Sequence, residues 1–345
     1  MLRGKWNAIT DVPGVKVGHL TLEQSLDAGD CVCTGVTAIL PHNGNVFDQK
    51  VPAASFVLNG FGKTAGLIQI EELGVIESPI MLTNTFSVGA VLEGTLSYML
   101  NENPVIGDST SSLNIVVGEC NDSYLNSMRL MKVKPVHAIE AIQNADSGPV
   151  EQGAVGAGKG MICFGMKGGI GSSSRIVQID GVSFTVGALT LTNFGKVGEC
   201  KIDEWLNQNG YKATGSIPQS EADCIKPDGS IMIIVATNAP VNERQLKRFA
   251  KRASIGLART GTHIHNGSGD IIIAFSNGFT IPHESTHMTD AYELLRDDHP
   301  IMNDLFQAVI EATEEAVYQS MIHAEKTSGR LGRIVDRWPV HEDMY

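Results

Sequence analysis

About two thirds of the way along this 345-residue chain, Ser230 follows the tripeptide Pro227-Asp228-Gly229 and opens a nearly unbroken apolar run to Thr237. A Pro-Asp-Gly turn can present the Gly229–Ser230 peptide bond in a kinked, exposed conformation. The first position of a rigid strand can hold a hydroxyl accurately. Attack by Ser230 Oγ on the carbonyl before it would break the chain and leave Ser230 with a free α-amine. An α-amine titrates at about 8, close enough to neutrality to act as general base beside its own nucleophile. No histidine is then needed. Taken alone, the same four residues are also ordinary loop chemistry before a strand.

Other residues of the right types lie elsewhere. Asn193 ends the apolar segment before Phe194-Gly195, Ser268 and Asp270 flank a glycine in Asn266-Gly-Ser-Gly-Asp270, and Glu119 follows an apolar run in Gly118-Glu-Cys120. Asn193 could simply make a turn, Ser268 and Asp270 could be turn chemistry, and Glu119 could be a solvated surface acid. A competing signal is His283-Glu284-Ser285-Thr286-His287, which fits the HExxH pattern of zinc hydrolases. That site needs both histidines one turn apart on a formed helix, with Glu284 as general base. Pro282 would leave His283 at a frayed end, Ser285 and Thr286 are weak helix formers, and only Glu311 offers itself as a third ligand. A polar loop is the better reading. Cys31-x-Cys33 and His263-x-His265 are too weak to specify a metal, and Gly156-Ala-Gly-Lys-Gly160 lacks P-loop spacing.

The elements that must position these groups follow from periodicity. Val15–His19, Gly35–Leu40 and Ala53–Leu58 read as strands between Gly/Asn/Asp turns. Phe61–Leu73 reads as a helix closed by Gly74, and Ser87–Leu100 and Ala138–Gln143 as further helices. Short strands are expected at Leu113–Val117 and Met161–Phe164. Asp180-Gly181 predicts a hairpin joining Arg175–Ile179 to Val182–Leu191. Residues 196–229 turn polar and read as an exposed loop. After it come a strand at Ser230–Thr237, a helix capped by Asn242, a strand at Asp270–Phe275 and a long helix at Asp304–Ala324. Buried sheets covered by helices indicate a layered α/β sandwich rather than a doubly wound nucleotide-binding fold.

Composition narrows the function classes. The net charge of −12, with no dense Lys/Arg stretch, disfavours nucleic-acid binding. No apolar run approaches the roughly 20 residues that span a bilayer. The N-terminus has no leader-like apolar region, and six scattered cysteines read as reduced thiols of a cytoplasmic protein.

The segments VPGVKVGHLT, GVTAILPHNG, VLNGFGKTAGLIQIEELG, SPIMLTNTFSVGAV, VVGECNDSYLN, VGALTLTNFG, PDGSIMIIVATNAP and HNGSGDIIIAFSNG resemble, in that order, the DmpA-type aminopeptidases. These are the L-aminopeptidase/D-esterase and β-aminopeptidase group of peptidase family S58. The resemblance runs from about residue 8 to about residue 335. It implies a four-layer αββα sandwich of the DmpA/ornithine acetyltransferase type. It also implies a single domain that cuts itself between Gly229 and Ser230 into an α-chain, 1–229, and a β-chain, 230–345. By residue, Ser230 matches the nucleophile, Asn193 the amide that supplies an oxyanion donor, and Ser268 with Asp270 the Ser-x-acid pair that orients and tunes the nucleophile. Relatives can carry Glu at that acidic position, one methylene longer. Glu119 matches the carboxylate that holds a substrate's free amine. Where some relatives carry an aromatic residue just beyond it, Asn121 stands and Tyr124 follows; Asn121 is grouped with Glu119 in substrate binding, without the aromatic role.

The expected activity is release of N-terminal amino acids, L, D or β, from short peptides, amides or esters, with no cofactor and no metal. The expected assembly is a homo-oligomer of αβ pairs, four by the resemblance. Two other classes compete. An ornithine-acetyltransferase-like acyltransferase would use the same fold, but those typically carry Thr where Ser230 stands. A binding or assembly protein that keeps only the fold is disfavoured by Ser230, Asn193, Ser268 and Asp270 occurring together.

Overall fold

The computed structural model describes residues 1–210 and 229–340. In chain order, β1 (Lys16–Ser25), β2 (Cys31–Leu40), β3 (Gln49–Gly60), α1 (Leu67–Leu73), β4 (Val75–Ile76), β5 (Ile80–Asn84), α2 (Val88–Glu102), β6 (Val116–Cys120) and α3 (Pro135–Gln143) form the first part. The hairpin β7 (Ile162–Cys163) and β8 (Met166–Lys167) follows, then β9 (Ile170–Ile179), β10 (Val182–Asn193) and α4 (Ile202–Gln208). After the junction come β11 (Ser230–Thr237), α5 (Glu243–Arg259), β12 (Gly269–Ser276), β13 (Ile281–Pro282) and α6 (Ile301–Ile322).

Two sheets carry the site. The smaller has the order β1-β2-β5-β6, and the larger β13-β3-β12-β11-β10-β9 with β4 on β3. An apolar layer including Ile39, Leu82, Val116, Leu191, Met232, Ile234, Ile271 and Ile273 is sealed between them. The outer face of the larger sheet packs Ile231, Ile233, Val235 and Ile272 on Phe249 and Leu257 of α5 and Leu305 and Val309 of α6. The outer face of the smaller sheet packs Val36 and Val117 against Val91 and Met99 of α2 and Ala141 of α3. The layers are therefore helix, sheet, sheet, helix, as the resemblance implies. All eight residues of β11 and of β12 are buried, which is why their sequences are apolar runs without alternation.

Local signals account for several boundaries. Asp180 and Gly181 both take positive φ, 50° and 81°, as the tight β9–β10 hairpin requires. The Asn242 side chain accepts from Gln245 N at 3.0 Å while Gln245 Oε1 accepts from Asn242 N, a reciprocal cap on α5. Three expectations shift. Helix α1 begins only at Leu67, after a left-handed Gly66. Strand β6 lies three residues later than expected, at Val116–Cys120, because it pairs with β5 and carries Glu119 inside the sheet opposite Thr83. The polar stretch 196–229 is not all loop: Ile202, Trp205 and Leu206 put a helix into the main core. Residues 211–228, which include Pro227-Asp228, lie outside the described residues.

The thiols of Cys31, Cys33, Cys120, Cys163 and Cys200 are free. Among the described residues, no helix is long and apolar enough to cross a membrane.

Candidate active site

Ser230 is the first residue of β11, at the centre of the larger sheet, with β10 on one side and β12 on the other. Its direct partner across the antiparallel β10 ladder is Asn193. Residues directly opposite on such a pair project to the same face, with Cβ atoms about 5 Å apart. On the parallel side its partner is Gly269, whose N–H donates to the Gly229 carbonyl at 3.1 Å. The bond before Ser230 is thus held at both ends by strand pairing. Gly229 fits because it has no side chain: a Cβ there would lie 2.8 Å from the Asn193 carbonyl oxygen and from Phe194 Cα.

The smaller sheet closes over this position. Ser230 Oγ, on a side chain only 4% exposed, accepts a long hydrogen bond from Asn121 N at 3.4 Å. Glu119, also 4% exposed, accepts from the Lys63 backbone N–H at 2.8 Å and from the Thr85 hydroxyl. A cavity of about 60 Å³ opens between these groups, lined by Phe61, Lys63, Thr85, Glu119, Asn121, Gly229, Ser230 and Gly267. It has room for a few water molecules or a small polar group such as an amine. Cys120 also reaches Ser230, but burial pushes its thiol far up, so it stays protonated.

Asn193 is oriented by its neighbours. Its Oδ1 accepts from Ile162 N at 3.1 Å, which leaves the side-chain NH₂ as the donor end. Ser268 and Asp270 form a pair of their own at the start of β12: Ser268 Oγ donates to Asp270 Oδ1 at 2.8 Å. Asp270 Oδ2 is buried without a partner. Burial pushes the Asp270 carboxyl up to about 6, opposed by the Ser268 hydrogen bond and the nearby His265. Ser230 therefore lies opposite Asn193 in the sheet and shares its cavity with Glu119 and Asn121. Ser268 and Asp270 sit one strand over, without a hydrogen bond to Ser230 in the uncut chain. Lys63 and Thr85, the groups that aim Glu119, carry no pattern that singles them out in the sequence.

The competing zinc reading lacks its helix. Residues 283–287 form bends and irregular backbone, held to β3 by the adjacent β13 pairing. His283 bonds Thr110 Oγ1 at 3.0 Å and stacks on Phe47 at 4.3 Å, while Glu284 and His287 are exposed. Glu311 is taken by Arg175 at 3.0 Å and the N-terminal amine at 2.9 Å. His265 likewise pairs with Glu199 at 3.0 Å. Replacing Glu284 and His287 together by Ala is expected to leave turnover within about twofold, as ordinary exposed substitutions do. Steady-state rates with and without a chelator check this.

A model of peptidase family S58 matches residues 7–335. The chain is 38% identical over 350 aligned residues to the β-peptidyl aminopeptidase BapA of Sphingosinicella microcystinivorans, covering 97% of this chain and 86% of that one. Among solved structures, the PH0078 protein of Pyrococcus horikoshii OT3 is similar at TM-score 0.88 and 48% identity, over 98% of this chain and 93% of that chain. The L-aminopeptidase D-Ala-esterase/amidase of Ochrobactrum anthropi, a variant of the Ntn hydrolase fold, is similar at TM-score 0.85 and 34% identity. There 97% of this chain and 92% of that chain are covered.

Proposed function

Because the chain belongs to peptidase family S58 and is a serine-type N-terminal-nucleophile aminopeptidase, we propose that it activates itself by cutting Gly229–Ser230 and then uses Ser230 to release N-terminal residues from short peptides, amides or esters. The observation that carries this reading is the pairing of Ser230 with Asn193 on one side, while the Gly229 carbonyl is fixed by Gly269 N–H on the other.

In the first round, Ser230 Oγ attacks the Gly229 carbonyl carbon, the C–N bond breaks, and the Ser230 nitrogen takes a proton to become a free amine. Water then hydrolyses the Gly229 ester on Oγ, leaving a carboxylate at Gly229. In each later round, a substrate's free ammonium sits on the Glu119 carboxylate and its carbonyl carbon meets Oγ. The new α-amine takes the hydroxyl proton and returns it to the leaving amine. The Asn193 amide donates to the oxyanion. Water frees the acyl group. Gly229, on the cavity wall in the uncut chain, marks the place the substrate acyl group takes.

Mass spectrometry of the purified protein tests the first step. Two fragments that part before Ser230 are expected, and an active enzyme that stays in one piece would refute it. A cavity bounded by Glu119 and Ser230 has room for a small polar group such as an amine, and resemblance to a β-peptidyl aminopeptidase favours β- over α-aminoacyl substrates. A panel of L-, D- and β-aminoacyl anilides decides among them. Free buried thiols suit a cytoplasmic setting. Light scattering tests for a homo-oligomer of four αβ pairs.

The Ser268–Asp270 pair adds a pH dependence. A charged Asp270 accepts from the Ser268 hydroxyl, and with the carboxyl pushed up to about 6, that form fills as pH rises through 6. kcat/KM should already fall as the α-amine, at about 8, gains its proton, with a second acid limb that steepens the fall below pH 6 as Asp270 is protonated. Asp270→Asn should remove that limb and lower the plateau by about tenfold to a hundredfold. An unchanged limb in Asp270→Asn would assign it elsewhere.

A further inference from the structure

Lys167 is wholly buried, an ammonium with no carboxylate bonded to it among the described residues. Its three protons go to three carbonyls: Met161 at 2.6 Å, Gly168 at 2.7 Å and Gly158 at 3.0 Å. Burying an unpaired charge is costly, and burial pushes this ammonium down to about 7. It clamps the short β7–β8 hairpin through those carbonyls, and one of them carries its influence beyond the hairpin.

The Met161 carbonyl belongs to the same peptide unit as the Ile162 N–H. That N–H donates to Asn193 Oδ1 at 3.1 Å. One flat peptide group therefore has an ammonium on its oxygen and the Asn193 amide on its hydrogen. The same segment grips the strand on either side of Asn193: Gly169 O accepts from Thr192 N at 3.0 Å, and Phe164 N donates to Phe194 O at 2.7 Å.

We infer that Lys167 is a positioning residue for the reaction, acting on the oxyanion through the Met161–Ile162 peptide and the Asn193 side chain. A Lys167 Nζ–H on the peptide oxygen makes its N–H a stronger donor, most strongly while Lys167 is charged. That draws density from Asn193 Oδ1 and makes the Asn193 NH₂ a stronger donor in turn, since hydrogen bonds in a chain polarise one another. The chain also fixes which end of the amide faces Ser230. It moves no proton and touches no substrate. The inference rests on the reading of Asn193 as the oxyanion donor.

The test replaces Lys167 by Met and, in parallel, by Gln. Each variant is assayed per mole of cleaved chain on an aminoacyl anilide and by its affinity for the matching aminoacyl aldehyde, whose adduct with Ser230 carries an oxyanion. The expected result for Lys167→Met is a kcat about tenfold to thirtyfold lower, KM within about twofold, and aldehyde affinity falling in step with kcat. Lys167→Gln, which keeps amide donors, should recover part of the loss. A folded, cleaved Lys167→Met with unchanged kcat would overturn the inference. So would a rise in KM alone, or failure of both variants to fold, which would give Lys167 to the scaffold. Asn193→Ala separates the two readings. It should cost about a hundredfold in kcat, or block cleavage of an otherwise folded chain. If it costs nothing, the oxyanion reading itself fails; if it is large while Lys167→Met is inert, only the relay fails.

Discussion

Ser230→Ala is expected to yield one uncut, folded chain with no aminopeptidase activity above background. The substitution removes a single oxygen from a residue that is 4% exposed and already in extended backbone, paired on both sides. What the fold loses is one long hydrogen bond from Asn121 N at 3.4 Å and the contact with the Cys120 thiol. Melting temperature should therefore move little, since loss of a long neutral hydrogen bond is worth about 1 kcal/mol or less. The chemistry loses everything at once. Without Oγ the Gly229 carbonyl has no attacker, so the α-amine that serves later turnover never forms. Removing a nucleophile that works with its base as one unit costs roughly 10⁴-fold or more in other hydrolases. A denaturing gel and an anilide assay on the same preparation read both effects. Cleavage that persists in Ser230→Ala would locate the cut elsewhere. Ser230→Cys is the graded control, because a thiol is also a competent nucleophile and should cut more slowly rather than not at all.

Much of this arrangement is legible in the amino-acid sequence. Ser-Ile-Met-Ile-Ile-Val-Ala-Thr carries no polar face, so it can only be a strand covered on both sides, and Ser230 at its start must lie between two layers. Asn193 ends β10 and Ser268 and Asp270 flank the first residue of β12, so their positions in the sequence put three of the groups at one end of one sheet. What stays hidden depends on pairing. Glu119 reads as a strand-end surface acid because Leu113–Val117 is the most apolar stretch nearby. Pairing with β5 slides the strand onward and carries Glu119 under the other sheet. Helix α4 is hidden because composition averages over it. Ile202, Trp205 and Leu206 have helical spacing but stand among Asp, Glu, Asn and Lys. Lys167 is invisible for a different reason: a lysine in a glycine-dense segment looks solvated, and only the three carbonyls around it show otherwise.

Glu119→Gln should separate binding of the substrate amine from the self-cleaving step. The carboxylate is buried, yet it has only two donors, the Lys63 backbone N–H and the Thr85 hydroxyl. A carboxylate offers about four lone-pair sites, so one side of it remains for the three protons of an ammonium at the cavity wall. Breaking a buried, hydrogen-bonded charge pair by neutralising one member costs about 2–5 kcal/mol. Glutamine keeps the shape and one acceptor but turns two donors toward the ammonium, which repels it. A fall in kcat/KM of about a thousandfold is expected on a substrate with a free amine. Part should appear in kcat, because a substrate that is not held by its amine does not present its carbonyl to Oγ. The break at Gly229–Ser230 involves no free amine of a substrate, since the acyl donor is already part of the chain, so Glu119→Gln should still cut itself close to the normal rate. An uncut Glu119→Gln chain that is otherwise folded would mean that this carboxylate serves the nucleophile as well as the substrate.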